Sequence, residues 1–366
     1  MPDSRFGKCQ SPLLYLLCAF CLTQLPPVGQ AREPQENEAS QPAAQPDELK
    51  VVEAGFDLNR PEIAEFINQV VSKDGYSRDQ ITATLAAARV RPELAAAMDQ
   101  PAETALPWWQ YRQRFVTSAR INAGADYWQL HREEIKGVSA ASGVAAEYLV
   151  AILGIETNYG QSTGTYREID TLTTLAFDYP ARAEFFRSEL RQFLRLAREL
   201  GRDPTTFRGS YGGALGAPQM MPSNYRRFAA GRAKGEPVDL WTDSKAILKS
   251  VADFLRRHGW VKGGPVIAEA QLQGEANGAI AIPDRFALNE TLDSLTVKGI
   301  RVDSMMPGST RAVLIQATLE DSLRYRVGFK NFYVISRYNP RINYAMAVCD
   351  LARELRCKVL GCAGQE

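Results

Sequence analysis

A single carboxylate within an apolar helical segment is the feature that most constrains this chain. Glu156 continues the helical face of Leu149 and Ile152, at a position that usually holds leucine. Burial favours the neutral form of a carboxyl group, and a helix end at Tyr159-Gly160 would act in the same direction through its dipole. Glu156 is therefore a candidate general acid. A glutamate that reaches solvent or pairs with arginine would give the same pattern.

A glycine-rich segment, residues 209–225, is the second informative stretch, with the sequence GSYGGALGAPQMMPSNY. Small residues allow the backbone and a ligand to approach closely. The Gln219 amide can both donate and accept hydrogen bonds, and Pro222-Ser223 is a typical helix start. No Gly-Lys-Ser/Thr follows, so this is not a phosphate-binding loop.

The inventory of reactive side chains limits the classes of catalytic mechanism that this chain can support. The two histidines, His131 and His258, have no nucleophile turn or partner cysteine nearby and form no His-x-x-x-His pair. Hydrolytic triads and the common zinc hydrolase site are therefore not expected. Carboxylate chemistry remains, and ordinary glycoside hydrolysis needs two carboxyl groups. Asp170 and Asp178 are candidates for the second, although helix capping is the more common role of aspartate at such turns.

The N-terminus has the character of an export signal. Arg5 and Lys8 precede an apolar run from residue 13 to residue 25, too short to be trusted as a membrane-spanning helix. Soluble export is favoured over a lipid anchor, because neither Cys18 nor Cys21 follows the usual Leu-small-small triplet. The formal net charge of the 366 residues is +1 with no basic stripe, so nucleic acid is not an expected partner.

Three cysteines lie outside the signal, all near the C-terminus. In an oxidising compartment one disulfide among Cys349, Cys357 and Cys362 is plausible, and Gly361 permits the turn that a Cys357–Cys362 bridge needs. Ordinary thiols are an equally good interpretation.

Hydrophobic patterning predicts a mainly α protein with a small β-rich insertion, an α+β fold. Helices are expected at 106–127, 146–156, 184–200 with Phe185 facing inward, 243–258 and 344–355, and strands at 280–282, 312–317 and 331–335. The predicted organisation is a signal peptide (1–31), a disordered tether (32–50), an N-terminal helical subdomain (51–105), a catalytic core (106–259), a β-rich subdomain (260–336) and a C-terminal helix packing back on the core (337–366).

Several ordered motifs together resemble one family, the membrane-bound type B lytic murein transglycosylases. They are the segments 109–115 (WQYRQRF), 156–160 (ETNYG), 172–180 (LTTLAFDYP), 213–222 (GALGAPQMMP) and 337–339 (RYN). The resemblance extends from about Phe56 to Arg353 and implies a lysozyme-like catalytic core.

The resemblance also implies a reaction. Such enzymes cleave the β-1,4 bond between N-acetylmuramic acid and N-acetylglucosamine in peptidoglycan and form a 1,6-anhydro sugar. One glutamate acts first as acid and then as base, and the position that matches it is Glu156. No cofactor is implied, the expected partners are glycan strands together with cell-wall synthesis or remodelling proteins, and the expected location is the periplasm.

Substrate-binding positions carry over one at a time from the resemblance. Ser210 and Gln219 match residues near the acid and the acetamido group, and Arg182 matches one of two arginines that contact peptide or sugar. The remaining matches are expected to line the groove: Tyr111, Tyr338, Asn339 and Tyr344.

The chain departs from the family pattern at three places. Ala181 replaces the first of the paired arginines, and Met220 stands where an aromatic residue is common. Some members carry a calcium loop where this chain has residues 229–239, and only Glu236 and Asp239 could serve as ligands there, so no metal site is expected. A two-carboxylate hydrolase and a non-catalytic peptidoglycan-binding scaffold remain the alternative functions.

Overall fold

The computed structural model describes residues 55–99, 106–229, 238–273, 287–302 and 304–362. The predicted signal and tether, residues 1–50, lie outside them, as does the predicted strand at 280–282. The first seven helices are α1 (Pro61–Asp74), α2 (Arg78–Ala86), α3 (Pro92–Asp99), α4 (Trp108–Phe115), α5 (Ser118–Leu130), α6 (Arg132–Ser142) and α7 (Ala146–Thr157). The later helices are α8 (Glu168–Phe177), α9 (Ala183–Glu199), α10 (Pro222–Phe228), α11 (Ser244–Arg257), α12 (Leu292–Val297), α13 (Lys330–Ile335) and α14 (Ile342–Leu360).

Local sequence explains where several helices begin. Pro61 occupies the first turn of α1, where its missing N–H costs nothing. Ser77 and Gln80 form a capping box at the start of α2. The single helix predicted over 106–127 is wrong, because the chain breaks at Val116 and restarts when Thr117 caps α5 by accepting a hydrogen bond from the Arg120 N–H.

The β-rich insertion folds into a five-stranded antiparallel sheet in the order β4-β6-β7-β3-β5. Its strands are β3 (Ile267–Leu272), β4 (Glu290–Thr291), β5 (Ile300–Val302), β6 (Arg311–Thr318) and β7 (Leu323–Gly328). A separate two-stranded sheet pairs β1 (Tyr166–Arg167) with β2 (Arg208–Gly209). The strand predicted at 331–335 is wrong: this short apolar run is the helix α13, which buries Phe332, Val334 and Ile335.

Two hydrophobic cores organise the described residues. The large core runs from Phe56 to Leu355 and joins the N-terminal helices to α7, α8, α9, α11 and α14. The small core, around Leu295 and Val327, lies within the β-rich insertion. The predicted α+β class is therefore confirmed, with α14 packed against α7 as expected of a returning C-terminal helix. The predicted subdomain boundaries stay predictions, and one core spans both sides of the boundary at 105/106.

Near the C-terminus, Cys357 and Cys362 form a disulfide, and Cys349 is a buried free thiol. No single helix among the described residues has the length and apolar character to cross a membrane. The pair α6 and α7 together would meet those criteria, but a bend of 116° separates them.

Candidate active site

Glu156 lies in the last turn of α7 and is 5% exposed. The hydroxyl of Tyr344, a fully buried residue of α14, donates a hydrogen bond of 2.6 Å to Glu156 Oε1. The inward orientation predicted from the helical face is therefore confirmed. Because a hydroxyl can donate to a carboxyl group in either protonation state, Tyr344 can hold Glu156 while a proton comes and goes.

The end of α7 is fixed by an unusual backbone. Asn158 and Tyr159 both have positive φ, 49° and 63°, which terminates the helix directly after Thr157. The Tyr159 ring then folds back over Gly154, where an added Cβ would lie 2.6 Å from the phenol oxygen. Its hydroxyl donates 2.9 Å to the Arg120 carbonyl of α5. The position of the acid is therefore set by backbone strain and by packing on both sides of it.

The glycine-rich loop is tied to the acid by a buried hydrogen bond. Thr157 directly follows Glu156 in the chain, and its hydroxyl donates a hydrogen bond of 2.7 Å to the Ala217 carbonyl. Leu215 and Met220 exchange backbone hydrogen bonds of 2.9 and 3.0 Å, which close the turn between them. The Tyr338 hydroxyl donates 2.5 Å to the Pro218 carbonyl from the opposite side. These hydrogen bonds hold the loop at three places, and we name residues 209–225 the braced loop.

Two predicted binding residues lie on this loop. Ser210 is buried, and its hydroxyl oxygen accepts a 3.0 Å hydrogen bond from the Ala214 N–H. Gln219 has φ of 49°, and its Nε2 donates to the carbonyls of Thr163 (3.1 Å) and Gly216 (2.9 Å). Both amide hydrogens of Gln219 are therefore directed at the backbone, so its Oε1 is the atom suited to a ligand.

The other predicted binding residues occupy different surroundings. Tyr111 is 1% exposed and packs between Trp108 and Phe115, so it lies in the core and does not line an open groove. Arg182 is exposed, and its guanidinium lies 4.3 Å from the centre of the Phe185 ring. The prediction that Phe185 faces inward is wrong, because that ring is exposed and carries the arginine.

Asn339 is half-buried and directly follows Tyr338, which braces the loop. Met220, which stands where an aromatic residue is common in the family, is buried in the core.

The two candidate second carboxylates make structural contacts. Asp170 lies in the first turn of α8, accepts a 3.0 Å hydrogen bond from the Arg89 N–H and forms a 3.1 Å ion pair with Arg167. Asp178 lies at the C-terminal end of α8 and pairs with Arg60 at 2.6 Å. Asp178 is the C-cap residue of α8, whereas Asp170 lies inside the first turn of that helix and does not cap it. Both carboxylates form ion pairs.

The transglycosylase SLT domain family matches residues 59–353, most of the chain, including Glu156, the braced loop and Tyr344. The chain belongs to this family. It is a lytic transglycosylase that acts on peptidoglycan, as the motifs predicted.

Relatives with known names support the assignment. The transglycosylase is 33% identical over 341 residues to membrane-bound lytic murein transglycosylase B of Escherichia coli K12, covering 90% of this chain and 89% of the relative. The structure of SltB1 from Pseudomonas aeruginosa superposes with a TM-score of 0.77 at 37% identity, over 82% of this chain and 98% of SltB1. SltB3 from the same organism, solved with NAG-anhNAM-pentapeptide, has a TM-score of 0.69 at 25% identity, over 80% of this chain and 78% of SltB3.

Sequence reasoning missed one carboxyl group in the transglycosylase. Glu168, the first residue of α8, is 0% exposed, and neither carboxyl oxygen accepts a hydrogen bond from any described residue. Burial raises the pKa of Glu168 well above its usual range, and the neighbouring Glu189 adds to the effect. Only the alternation of polar residues at the start of α8 could have been noticed, and it does not indicate burial.

The expected absence of a calcium site concerns residues that are only partly described. Glu236 lies outside the described residues. The Asp239 carboxylate accepts hydrogen bonds from the N–H groups of Trp241 (2.7 Å) and Thr242 (3.3 Å), so it acts as a turn cap. Within the described ranges no cluster of three or more histidine, cysteine or acidic residues could hold a metal ion. The loss of the site stays a prediction.

Proposed function

We propose that Glu156 performs both proton transfers of the lytic reaction of this transglycosylase. The observation that carries the proposal is the 2.6 Å hydrogen bond from the buried Tyr344 hydroxyl to a glutamate that retains slight exposure. A general acid must be held in place and must also reach the substrate. Glu156 meets both conditions at the end of α7.

The reaction balances without water. Glu156, as a carboxylic acid, gives its proton to the glycosidic oxygen, and the bond from that oxygen to C1 of N-acetylmuramic acid breaks. The C6 hydroxyl of the same sugar forms a new bond to C1, and its proton passes to the Glu156 carboxylate. The acid is thereby regenerated, and the new sugar end is a 1,6-anhydro ring.

Neighbouring residues are assigned supporting roles in this proposal. Gln219 Oε1 accepts from the N–H of the acetamido group, which orients that group so that its oxygen stabilises the positive charge at C1. Ser210 fixes the turn beneath the sugar, and Asn339 with Tyr338 borders the reacting residue. Tyr344 and Tyr111 act from the core. The ion pairs of Asp170 and Asp178 disfavour a two-carboxylate hydrolase.

The proposed substrate is a glycan strand that still carries stem peptides, by analogy with the pentapeptide ligand of SltB3. Arg182, displayed on Phe185, is a candidate contact to such a peptide or to the sugar. The proposed location is the periplasmic side of the envelope, reached through an export signal at residues 1–31. Attachment to the wall synthesis or remodelling machinery is proposed without a named partner.

Mass spectrometry of digested sacculi tests the function. A transglycosylase leaves new ends that contain anhydro-muramic acid, whereas a hydrolase leaves reducing ends and a scaffold leaves the sacculi intact. We expect anhydro ends only. A majority of reducing ends would refute the proposed reaction, and an absence of products from folded protein would support the scaffold.

A further inference from the structure

A second concave site lies away from Glu156, where α4, β7 and α14 meet. It is a cavity of about 260 Å³ whose wall carries four guanidinium groups, those of Arg112, Arg324, Arg326 and Arg353. Trp108 and Asp350 complete its polar and aromatic lining. We name it the arginine pocket. Four guanidinium groups against one carboxylate leave the lining with an excess of positive charge, and a concave surface of that kind attracts anions.

Each element contributes through its own periodicity. Trp108 and Arg112 are one turn apart on α4, as are Asp350 and Arg353 on α14. Alternation along β7 places Arg324 on the same face of the sheet as Arg326. The three elements therefore present their basic residues to one common space.

The floor of the arginine pocket is internally paired. Asp350 accepts from Arg326 through Oδ1 (2.9 Å) and from Arg112 through Oδ2 (2.7 Å), so both of its oxygens are engaged. Arg326 is almost fully buried, and its guanidinium lies 5.8 Å from the centre of the Trp108 ring. The floor residues are therefore already paired with one another.

The rim of the arginine pocket, in contrast, consists of two weakly paired arginines, Arg324 and Arg353. Arg324 is exposed and forms no ion pair with any residue that the structure describes. The Arg353 side chain is 54% exposed and makes a long contact of 3.4 Å with the adjacent Glu354. Guanidinium forks match the geometry of carboxylates, and such charge-assisted hydrogen bonds are among the strongest in proteins.

We infer that the arginine pocket binds a carboxylate of the stem peptide on the glycan strand. This inference rests on the proposed peptide-bearing substrate. The distance is compatible: Tyr344, which contacts Glu156, and Asp350 lie six residues apart on α14, a rise of roughly 9 Å. An extended peptide of about five residues spans roughly 17 Å. A stem attached to the sugar at Glu156 is long enough to place its terminal carboxylate in the pocket.

The test uses substitutions of the two rim arginines, which leave the paired floor intact. The double variant Arg324→Gln/Arg353→Gln is compared with Arg301→Gln, an exposed arginine of β5 outside the pocket. Each protein is assayed on glycan strands with intact stems and on strands stripped of stems by an amidase. Melting curves establish that the variants fold equally.

On strands with stems we expect the double variant to lose about 10-fold in kcat/KM, chiefly through KM, because two partly solvated charge-assisted contacts are lost. On stripped strands it should match the wild type, and Arg301→Gln should be unchanged on both. An equal loss on both substrates, or no loss on either, would overturn the inference. Neither result would contradict the proposed reaction. If the proposed reaction were wrong, wild-type digests of both substrates would lack anhydro ends.

A competition arm separates a peptide carboxylate from any small anion. Free stem peptide should slow the reaction on strands with stems, and its C-terminally amidated form and inorganic phosphate should do so far less. Equal inhibition by phosphate would show a general anion site and would contradict recognition of the stem.

Discussion

Two buried glutamates lie on consecutive helices of this transglycosylase, and they differ in access and in hydrogen bonding. Glu156, at the end of α7, is 5% exposed and receives the Tyr344 hydroxyl. Glu168, at the start of α8, is fully enclosed, and no described residue donates to its oxygens. Burial alone therefore does not identify the acid. Access to substrate and a donor that holds the carboxyl group are what distinguish it.

The glycine-rich loop, residues 209–225, contacts the surroundings of both carboxyl groups. Its Ala217 carbonyl accepts a hydrogen bond from Thr157, next to Glu156, and its Gly209 packs against the Glu168 side chain. A Cβ at Gly209 would lie 2.4 Å from Glu168 Oε2, and one at Gly213 would lie 3.3 Å from Oε1. The glycines of the loop thus make room for a buried side chain. The predicted role of the small residues, close approach of a ligand, did not include this one.

The sharpest test of the comparison exchanges each glutamate for glutamine. Glu156→Gln should lower the rate by about 10²–10⁴-fold, because an amide can neither give nor take the proton. Glu168→Gln should stay within a few-fold of the wild type at neutral pH, since a neutral amide replaces a neutral acid. Release of soluble fragments from sacculi measures both. A Glu156→Gln protein with more than about a tenth of the activity would exclude Glu156 as the acid.

The next effect concerns the donor that distinguishes Glu156. Tyr344→Phe keeps the buried ring and removes the hydroxyl, so kcat should fall about 10- to 100-fold, given about 1.5–3 kcal/mol for a hydrogen bond to a charged group. Tyr76→Phe is the matched control, because its hydroxyl donates to the Leu194 carbonyl remote from the site. If both substitutions lower kcat equally, Tyr344 has no special role.

A smaller effect is expected from the loop between the glutamates. Gln219→Ala removes two hydrogen bonds to the backbone, each contributing about 1 kcal/mol, so the protein should melt lower. The rate per folded molecule should also fall roughly 10-fold, if Oε1 holds the acetamido group. A variant that melts lower and works normally, after correction for the folded fraction, would make Gln219 a structural residue only.

The smallest effect on activity, and the clearest on stability, concerns Glu168. Its pKa is raised, so above its ordinary value of 4.5 the folded state holds a proton that the unfolded state has lost. The free energy of unfolding therefore falls as pH rises through this window, by up to about 1.4 kcal/mol per pH unit. Glu168→Gln cannot titrate, so it removes this pH dependence of the free energy of unfolding.

Thermal melting between about pH 5 and pH 8 checks the sign. The Tm of Glu168→Gln minus the Tm of the wild type should increase steadily as pH increases. Glu65→Gln, at an exposed position of α1, controls for the loss of one carboxyl group. A constant difference across the range would mean that Glu168 is not held protonated.

Much of the site could be predicted because its signals are local. The apolar face of α7 predicted the burial of Glu156, and Pro222 predicted the start of α10. Gly361 permitted the disulfide that the structure contains. Such features depend on residues within one or two turns of each other, and the family motifs added the reaction.

The features that were missed depend on contacts distant in sequence or on short patterns that fit two structures. Glu168 is buried by a loop that returns much later in the chain, so no pattern around residue 168 reveals it. The run at 331–335 is short and mostly apolar, which fits a strand or a buried helix equally well. Phe185 lies at the edge of an amphipathic face, and its exposed ring contacts the Arg182 guanidinium.

The most direct test of a single acid acting without water is digestion of sacculi in water enriched in ¹⁸O. The cleaved bond is replaced by an internal one to C6, so the new muramic ends should be anhydro sugars, one water lighter than reducing ends and without ¹⁸O. Glu168→Gln should give the same products. New ends that carry one ¹⁸O atom would show that water attacks C1, and that a second carboxylate works together with Glu156.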